Sequence, residues 1–264
     1  MANSCRYLKH ATDIDFIQLG DDLFFAAISG YDLLLGINGA LKKTLKLSDD
    51  YEYVKFAFGE NSKIFLCGHD HKSLQKESAE GNYIKLGLLN LEMSSLEEQF
   101  LGDVKAIGIA SPDLSTISVI TTEKIIHFDE HLKQKYNVPL EENKYDHNIR
   151  MVTEKNRGFA YYHPSSELFE HDILKGEVIS KTLVRDRSVI QPFFTIDGER
   201  GLLHKNGIIE MRNNEWVDTY EVDDLKKNVN FIKQLTKNDH LISSSSGQVE
   251  EYRPSNSGRF IIQD

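Results

Sequence analysis

The residues best suited to chemistry are two histidines and an aspartate at adjacent positions, His69, Asp70 and His71. Imidazole and carboxylate groups are ligands for zinc or nickel. In an extended segment, however, alternate side chains share a face, so that His69 and His71 would lie on one side and Asp70 on the other. A third ligand would have to come from elsewhere in the chain. We therefore interpret the segment as a solvent-exposed polar turn and predict no metal and no cofactor.

Further histidines occur near expected turns, among them His163 and His204. Imidazoles beside carboxylates suit acid–base catalysis. The chain contains ten histidines, however, so chance placement explains their recurrence better. The sequence contains no nucleophile elbow, phosphate-binding glycine loop, zincin helix or calcium loop. We therefore predict no catalytic residues.

The composition narrows the class of partner. The 264 residues include 31 Lys and Arg against 41 Asp and Glu, a formal net charge of −10. This balance disfavours nucleic acid, whose phosphates bind basic surfaces. It favours basic partners or serves only to keep the protein soluble. The two cysteines, Cys5 and Cys67, form no Cys-x-x-Cys pair and suggest a reducing compartment. No apolar run reaches about 18 residues, so the sequence predicts a cytoplasmic protein without a membrane span.

The chain repeats a unit of four β-like segments separated by turns. In one copy the turns include Asp197-Gly198 and Asn206-Gly207, which are strong hairpin signals because these residue types tolerate positive φ. The first segments begin at residues 16, 53, 104, 148, 190 and 229. This period is close to that of propeller blades.

The distribution of apolar residues predicts how the copies pack. First and second segments are apolar on both faces, whereas third and fourth segments are more polar. We expect the first two strands to be buried between neighbouring sheets and the last two to lie outward. Sheets that bury both faces with no exposed end close into a ring, whereas a solenoid would require polar caps. Residues 259–262 or 5–9 would supply the outer edge of the closing sheet.

One segment interrupts this period. Residues 90–102 carry Leu91, Met93, Leu96 and Phe100 at roughly helical spacing. The spacing is compatible with a short helix on a loop. An irregular loop held by apolar contacts is an equally good interpretation, and in both cases the segment is an insertion between two copies.

The periodicity resembles that of β-propellers of the broad WD-repeat-like or YVTN-like kind, over nearly the whole chain. No copy carries the Gly-His and Trp-Asp pair or a kelch-type double glycine, and Trp216 is the only tryptophan. The resemblance implies an all-β fold, a six-bladed β-propeller of four-stranded antiparallel blades forming a single domain over residues 1–264. The expected blades are 16–47, 53–89, 104–138, 148–184, 190–220 and 229–262, with the insertion at 90–102.

Propellers of this architecture commonly use one ring of loops for recognition. The turns linking one blade to the next are acidic, and two contain a tyrosine. As partner-binding residues we predict Asp49, Asp50, Tyr51, Glu52, Glu141, Glu142, Tyr145, Asp146, Asp223 and Asp224. Turns on the opposite face contain Lys155, Arg157, Arg200 and Lys237, which suggests that charge is segregated between the faces.

These features lead to a functional hypothesis. Acids supply electrostatic steering and tyrosines supply contact area, so the acidic turns suit a protein interface. We expect a non-catalytic protein, monomeric when free, that docks on a basic protein such as a toxin as an inhibitor or immunity protein. The alternative is a metal-dependent hydrolase resembling lactonase-like propellers, whose channel metal is held by Glu, Asn and Asp; no such motif matches here.

Overall fold

The protein is described by a computed structural model. The described residues are 8, 11–38, 40–48, 51–70, 84–101, 106–121, 123–140, 149–162, 166–184, 189–204, 207–213, 215–221, 229–234, 240–244, 249–252 and 260–261. Nearly all of them lie in β-strands or in the turns that join strands. Every sheet is four-stranded and antiparallel, with its strands in chain order, as the sequence predicts. The contacts divide the chain into two compact units, unit 1 (Met1–Lys46 and Asp186–Asp264) and unit 2 (Leu47–Arg185).

Unit 2 contains three sheets. The first is formed by β5 (Tyr51–Phe58), β6 (Lys63–Asp70), β7 (Ile84–Asn90) and β8 (Ser95–Phe100). The second is formed by β9 (Ala106–Ala110), β10 (Ile117–Thr121), β11 (Lys124–Phe128) and β12 (Gln134–Pro139). The third is formed by β13 (Ile149–Glu154), β14 (Arg157–Tyr162), β15 (Glu167–Asp172) and β16 (Val178–Leu183). The first strand of the second sheet, β9, contacts both β5 and β13. The sheets of unit 2 therefore pack face to face through their first strands.

Apolar side chains fill the space between these sheets. Phe65 and Leu86 of the first sheet belong to one buried cluster with Val119 and Phe128 of the second. A further cluster joins the second sheet to the third and includes Phe169. Burial of such aromatic and aliphatic side chains supplies the main favourable free energy of folding.

Unit 1 also contains three sheets. The first is formed by β1 (Ala11–Leu19), β2 (Asp22–Ser29), β3 (Asp32–Ile37) and β4 (Ala40–Lys46). The second is formed by β17 (Val189–Phe194), β18 (Arg200–His204), β19 (Gly207–Arg212) and β20 (Glu215–Glu221). The third is formed by β21 (Val229–Gln234), β22 (His240–Ser244), β23 (Val249–Tyr252) and β24 (Phe260–Ile261). Strand β21 contacts both β17 and β1, and Lys233 Nζ lies 2.7 Å from Asp15 Oδ1. The sheets that carry the first and last strands of the chain are therefore neighbours.

The prediction that third strands lie outward is wrong. In β7 every side chain except that of Asn90 is buried. Polar residues of the third strands are buried together with partners: Ser118 Oγ lies 2.9 Å from His127 Nδ1, and Arg157 donates to Glu170 at 2.6 Å. Only the fourth strands are largely exposed, as β4 and β12 show. Polar residues of the third strands can therefore be buried, because partners on the neighbouring strand supply hydrogen bonds to them, although His127 Nε2 has no hydrogen-bond partner among the described residues.

The segment 90–102 is neither a helix nor a loop. Its centre is β8, the fourth strand of the first sheet of unit 2, paired with β7 from Asn90↔Ser95 to Lys85↔Phe100. A tight turn precedes it, in which the backbone N–H groups of Glu92 and Met93 donate to Asn90 Oδ1. The expected blade 53–89 therefore ends one strand too early. The apolar residues that suggested a helix include Leu96, which lies opposite Leu89 across the ladder.

Candidate interaction surface

Most of the ten residues predicted to bind a partner lie outside the described residues. These are Asp49, Asp50, Glu141, Glu142, Tyr145, Asp146, Asp223 and Asp224. Tyr51 and Glu52 open β5, where their backbones pair with those of Asp70 and His69. All ten residues belong to, or adjoin, the segments between β4 and β5, β12 and β13, or β20 and β21. These segments join a fourth strand to the next first strand, as predicted for connections between blades.

The histidine segment is placed differently from the prediction. His69 and Asp70 are the last two residues of β6 and are not a turn; His71 and His163 lie outside the described residues. His204 ends β18. Within the part of the chain that the structure describes, no group of three His, Cys, Asp or Glu side chains is placed to hold a metal ion.

The opposite ends of the first two sheets of unit 2 form a continuous surface. It consists of the turns 59–62, 91–94, 111–116 and 129–133, and we call it the turn surface. The backbone N–H of Glu60 donates to the carbonyl of Leu114 at 3.1 Å. Ser62 Oγ donates to Glu92 Oε1 at 3.2 Å, and Lys63 Nζ lies 3.1 Å from Glu130 Oε2. These bonds connect the turns within a sheet and between the two sheets.

The turn surface is acidic. Its carboxylates are those of Glu60, Glu92, Asp113, Asp129 and Glu130, whereas Lys133 is its only lysine and it has no arginine. The hypothesis that this end of the sheets is basic is therefore wrong for these two sheets. It rested on Lys155, Arg157, Arg200 and Lys237, of which Lys237 lies outside the described residues. Arg157 also donates to the buried carboxylate of Glu170, which neutralises its charge.

Hydrogen bonds keep two of these carboxylates ionised. Burial by itself would raise the pKa of Asp113, but the backbone and side chain of Thr116, together with those of Ser115, donate to it and hold that pKa below its ordinary value. Burial by itself would also raise the pKa of Asp129, but the backbone N–H groups of Lys133 and His131 donate to it and, with the charges of His131 and Lys135, lower that pKa. The turn surface therefore stays negatively charged well below neutral pH.

Exposed apolar side chains lie among these acids. Met93 is 69% exposed and Leu114 is 42% exposed. Leu114 has φ 62° and the neighbour of Met93, Ser94, has φ 51°, both in the left-handed region that side chains rarely adopt. Met93 follows Glu92 and Leu114 follows Asp113 in the chain, so exposed apolar and acidic side chains occur in the same turns. Exposed apolar side chains together with charged ones are found on surfaces that bind protein. The sequence pattern does not reveal this surface, because one of its turns, 91–94, falls in the segment that looks like an insertion.

A second polar cluster lies inside unit 1. His240 on β22 is fully buried, and its Nε2 lies 3.1 Å from Glu210 Oε1 on β19. Arg212 also donates to Glu210, at 2.9 Å, and Gln234 Nε2 does so at 3.1 Å. The cluster joins two neighbouring sheets. It is a packing element, because its carboxylate is already saturated with donors.

Comparisons with known proteins identify the fold and no family. No protein-family model matches the sequence, and no curated protein matches it. Among solved structures, the β-propeller domain of Cps50 (Swd1) from Myceliophteria thermophila is similar with a TM-score of 0.61 and 12% identity, over 95% of this chain and 85% of that chain. The computationally designed Ika8 protein is similar with a TM-score of 0.51 and 11% identity, over 95% and 73%. The four-stranded blades of this protein therefore belong to a β-propeller fold.

Proposed function

We propose that the protein is a non-catalytic β-propeller that binds a basic protein through its acidic turn surface. Propellers serve generally as scaffolds for protein binding, and the turns of this surface carry five carboxylates against one lysine, with Lys63 beside them paired to Glu130. Two exposed apolar side chains lie in the same turns. Opposite charge would steer the partner to this surface, while Met93 and Leu114 would supply apolar contact. The acidic connections between blades, which include Asp49 and Glu141, are the second candidate surface.

Charge reversal tests this proposal. The principal partner is first captured from the native host and identified by mass spectrometry. Replacing Glu60 and Glu92 with lysine should slow association about tenfold near physiological salt, because the new lysines repel a basic partner that the carboxylates attract. The effect should shrink as salt is added, since exposed charges are screened beyond about 8 Å at physiological ionic strength. The matched variant replaces Asp49, Asp50, Glu141 and Glu142 with lysine and reports on the second surface. Association kinetics measured against salt concentration give the result.

The two variants test separately whether the partner is basic and which surface of this protein it binds. If only the second variant slows association, the partner is basic but binds the connections between blades. Unchanged association in both folded variants, or a principal partner with an acidic surface, would overturn the proposal.

We propose further that binding inhibits the partner, as an immunity protein inhibits a toxin. Enzymes that act on nucleic acids carry basic surfaces for phosphate contacts, and such a surface complements the acidic turns. The test is the activity of the captured partner with and without an excess of this protein. Full activity in the complex would overturn the inhibitory role.

We also propose that the protein catalyses no reaction. If the purified protein contains stoichiometric zinc or calcium, and removing that metal abolishes hydrolysis of a panel of lactones and esters, the protein is the hydrolase of the alternative hypothesis.

We propose a cytoplasmic location from the cysteines. Cys67 is a buried free thiol, and burial raises its pKa to about 12. Among the described residues, none forms a helix of the length and apolar character that crossing a membrane requires.

We propose that the outermost strand of the last sheet, β24, stabilises unit 1. Within unit 1 the inner strands β1 and β21 are already neighbours, joined by the Lys233–Asp15 ion pair. Strand β24 forms the outer edge of the last sheet, as expected for residues 259–262. Deleting residues 258–264 should therefore lower the melting temperature in a single cooperative transition, because the deletion exposes the edge of β23. An unchanged melting temperature would show that β24 does not stabilise unit 1.

A further inference from the structure

We propose that the interface between the second and third sheets of unit 2 is an acid-sensitive switch, in which protonation of buried histidines opens the turns 111–116 and 129–133 and releases the bound partner. This inference rests on the proposed function and specifies how the turn surface is regulated. Histidine is the side chain whose charge ordinarily changes between pH 5 and pH 8. A buried histidine therefore makes packing sensitive to mild acid when nothing beside it stabilises its charged form.

Two histidines lie on the facing sides of these sheets. His127 on β11 is fully buried, and His171 on β15 is 1% exposed. His127 is two residues from Ile125, and His171 is two residues from Phe169. Ile125 and Phe169 belong to the cluster that joins the second sheet to the third. Because alternate side chains of a strand share a face, both imidazoles face the same interface.

The surroundings of His127 favour its neutral form. Its Nδ1 lies 2.9 Å from Ser118 Oγ, and its ring packs on that of Tyr136 with centroids 4.4 Å apart. Its Nε2 is buried and has no hydrogen-bond partner in the part of the chain that the structure describes. Burial lowers the pKa of His127 below its ordinary value. A second ring proton would place a charge in this packed interior, which the folded form resists.

The charged groups around this interface do not compensate a protonated imidazole. Besides the two histidines, the titratable side chains on the facing sides of the strands are those of Tyr136, Tyr162, Glu167 and Lys181. Glu167 is the only carboxylate in this set, and its Oε1 lies 3.0 Å from Lys181 Nζ. Glu170 lies on the opposite side of β15, where it pairs with Arg157. Asp129, in the turn after β11, accepts hydrogen bonds from backbone N–H groups of that turn. A charge on either imidazole is therefore costly.

His127 lies close to two turns of the turn surface. The pair Ser118↔His127 is followed by one further pair, Ile117↔Phe128, before the two strands end. Turn 111–116 comes directly before Ile117, and turn 129–133 directly after Phe128. The pairing of β11 with β12 also shifts register between His127 and Phe128, so the ladder is interrupted at this point. Displacement of the imidazole would therefore move both turns, which carry three of the five carboxylates of the turn surface.

The direction of the pH effect follows from proton linkage. A histidine whose pKa is lower in the folded state leaves stability unaffected above its unfolded pKa of about 6.5. Below that pH the opened form binds the proton first, so stability is lost as the pH falls from the unfolded pKa through the folded one. The opening equilibrium constant can rise by at most about tenfold per pH unit for one histidine.

Hydrogen exchange of the intact protein tests the opening. Amide exchange of segments 117–121 and 124–133 is measured at pH 7.5 and pH 5.5, and each rate is divided by the intrinsic rate at that pH. We expect the corrected opening constant to rise severalfold, up to about tenfold, in acid. Segment 22–37 of unit 1 contains no histidine and is the internal reference, whose opening constant should not change.

Variants identify the titrating group. His127→Asn keeps a polar side chain for Ser118 but takes up no proton, so it should abolish most of the rise in acid. His131→Asn is the matched control and should keep the rise, because the His131 side chain is 75% exposed in the turn 129–133. Should His127→Asn unfold the protein, an NMR titration of the wild type decides. The His127 imidazole should titrate below pH 6.5, and a midpoint at or above that pH would overturn the inference.

Release of the partner is measured at the same two pH values. The dissociation rate of the captured partner should rise severalfold at pH 5.5 with the wild type and much less with His127→Asn. Comparing these two proteins cancels the effects of acid on the partner and on the carboxylates that both proteins share.

Exchange that is unchanged in acid, or that rises equally in the wild type and in His127→Asn, would overturn the switch. The proposed function would survive that result, because it is judged at neutral pH by association of the partner with the Glu60 and Glu92 variant. A rise in exchange without faster dissociation of the partner would overturn the link between the interface and the turn surface. If the Glu60 and Glu92 variant binds normally, the proposed function fails and release of the partner fails with it, whereas the exchange profile separately decides whether the interface opens in acid.

Discussion

Replacing Glu210 with alanine is expected to lower the free energy of unfolding by about 2–3 kcal/mol, measured by urea denaturation at neutral pH. The Glu210 side chain is 5% exposed and accepts hydrogen bonds from the fully buried His240, from Arg212 and from Gln234. Removing it takes this acceptor away from the buried imidazole of His240 and from the half-buried amide of Gln234. The loss of satisfied hydrogen bonds in the interior costs more than the loss of the carboxylate's own packing.

Glu210 should also make the free energy of unfolding depend on pH in the acidic range. Burial by itself would raise the pKa of Glu210, but the hydrogen bonds and charges of His240 and Arg212 hold that pKa below its ordinary value. A carboxyl whose pKa is lower in the folded state contributes stability above its unfolded pKa of about 4.3. That contribution is lost as the pH falls through the folded pKa. Glu210→Gln should therefore lose less stability than the wild type between about pH 5 and pH 3.

Glu215→Gln is the matched control, because Glu215 is exposed on β20 of the same sheet. Its unfolding free energy should follow the wild type across the whole pH range. Parallel pH profiles for the wild type and Glu210→Gln would show that the buried cluster does not contribute to acid sensitivity.

Replacing Gly201 with alanine is expected to destabilise the protein by about 2–3 kcal/mol. A Cβ atom at this position would lie 2.2 Å from Cζ of Phe193 on the neighbouring strand. The Phe193 ring has no room to move: it is 1% exposed, packs edge-on against His240 with centroids 5.6 Å apart, and belongs to the cluster of Leu203 and Ile232. The new methyl group must therefore shift the backbone or displace the ring.

A compensating change isolates this clash. Phe193→Leu removes the ring atoms that the new Cβ would meet, so adding it to Gly201→Ala should recover at least half of the lost stability, although it costs stability in the wild-type background. Gly158→Ala is the control, since Gly158 likewise follows an arginine near the start of a second strand. Its nearest neighbour would be Met151 Sδ at 3.6 Å, an ordinary contact. Similar losses in the two alanine variants would contradict the role of the Phe193 ring.

The sequence alone determined the succession of strands and turns. Hairpin signals such as Asp197-Gly198 and the recurrence of apolar segments act within a few residues, because turn conformation and side-chain alternation are local properties. Gly198 indeed has φ +77° in its turn, and β18 begins at Arg200 directly after that turn. The exposed fourth strands and the four-stranded antiparallel blades followed from the same local information, as did the propeller fold.

The tertiary structure decided which faces are covered and which polar residues meet. Glu210 and His240 are 30 residues apart in sequence, and only the packing of two sheets makes them a buried pair. Strand β8 looked like an insertion because Leu96 and Phe100 also match a helical period, and only pairing with β7 selects the strand. The turn surface depends in turn on the placement of β8. Burial and long-range pairing are set by neighbouring sheets, so no local pattern in the sequence specifies them.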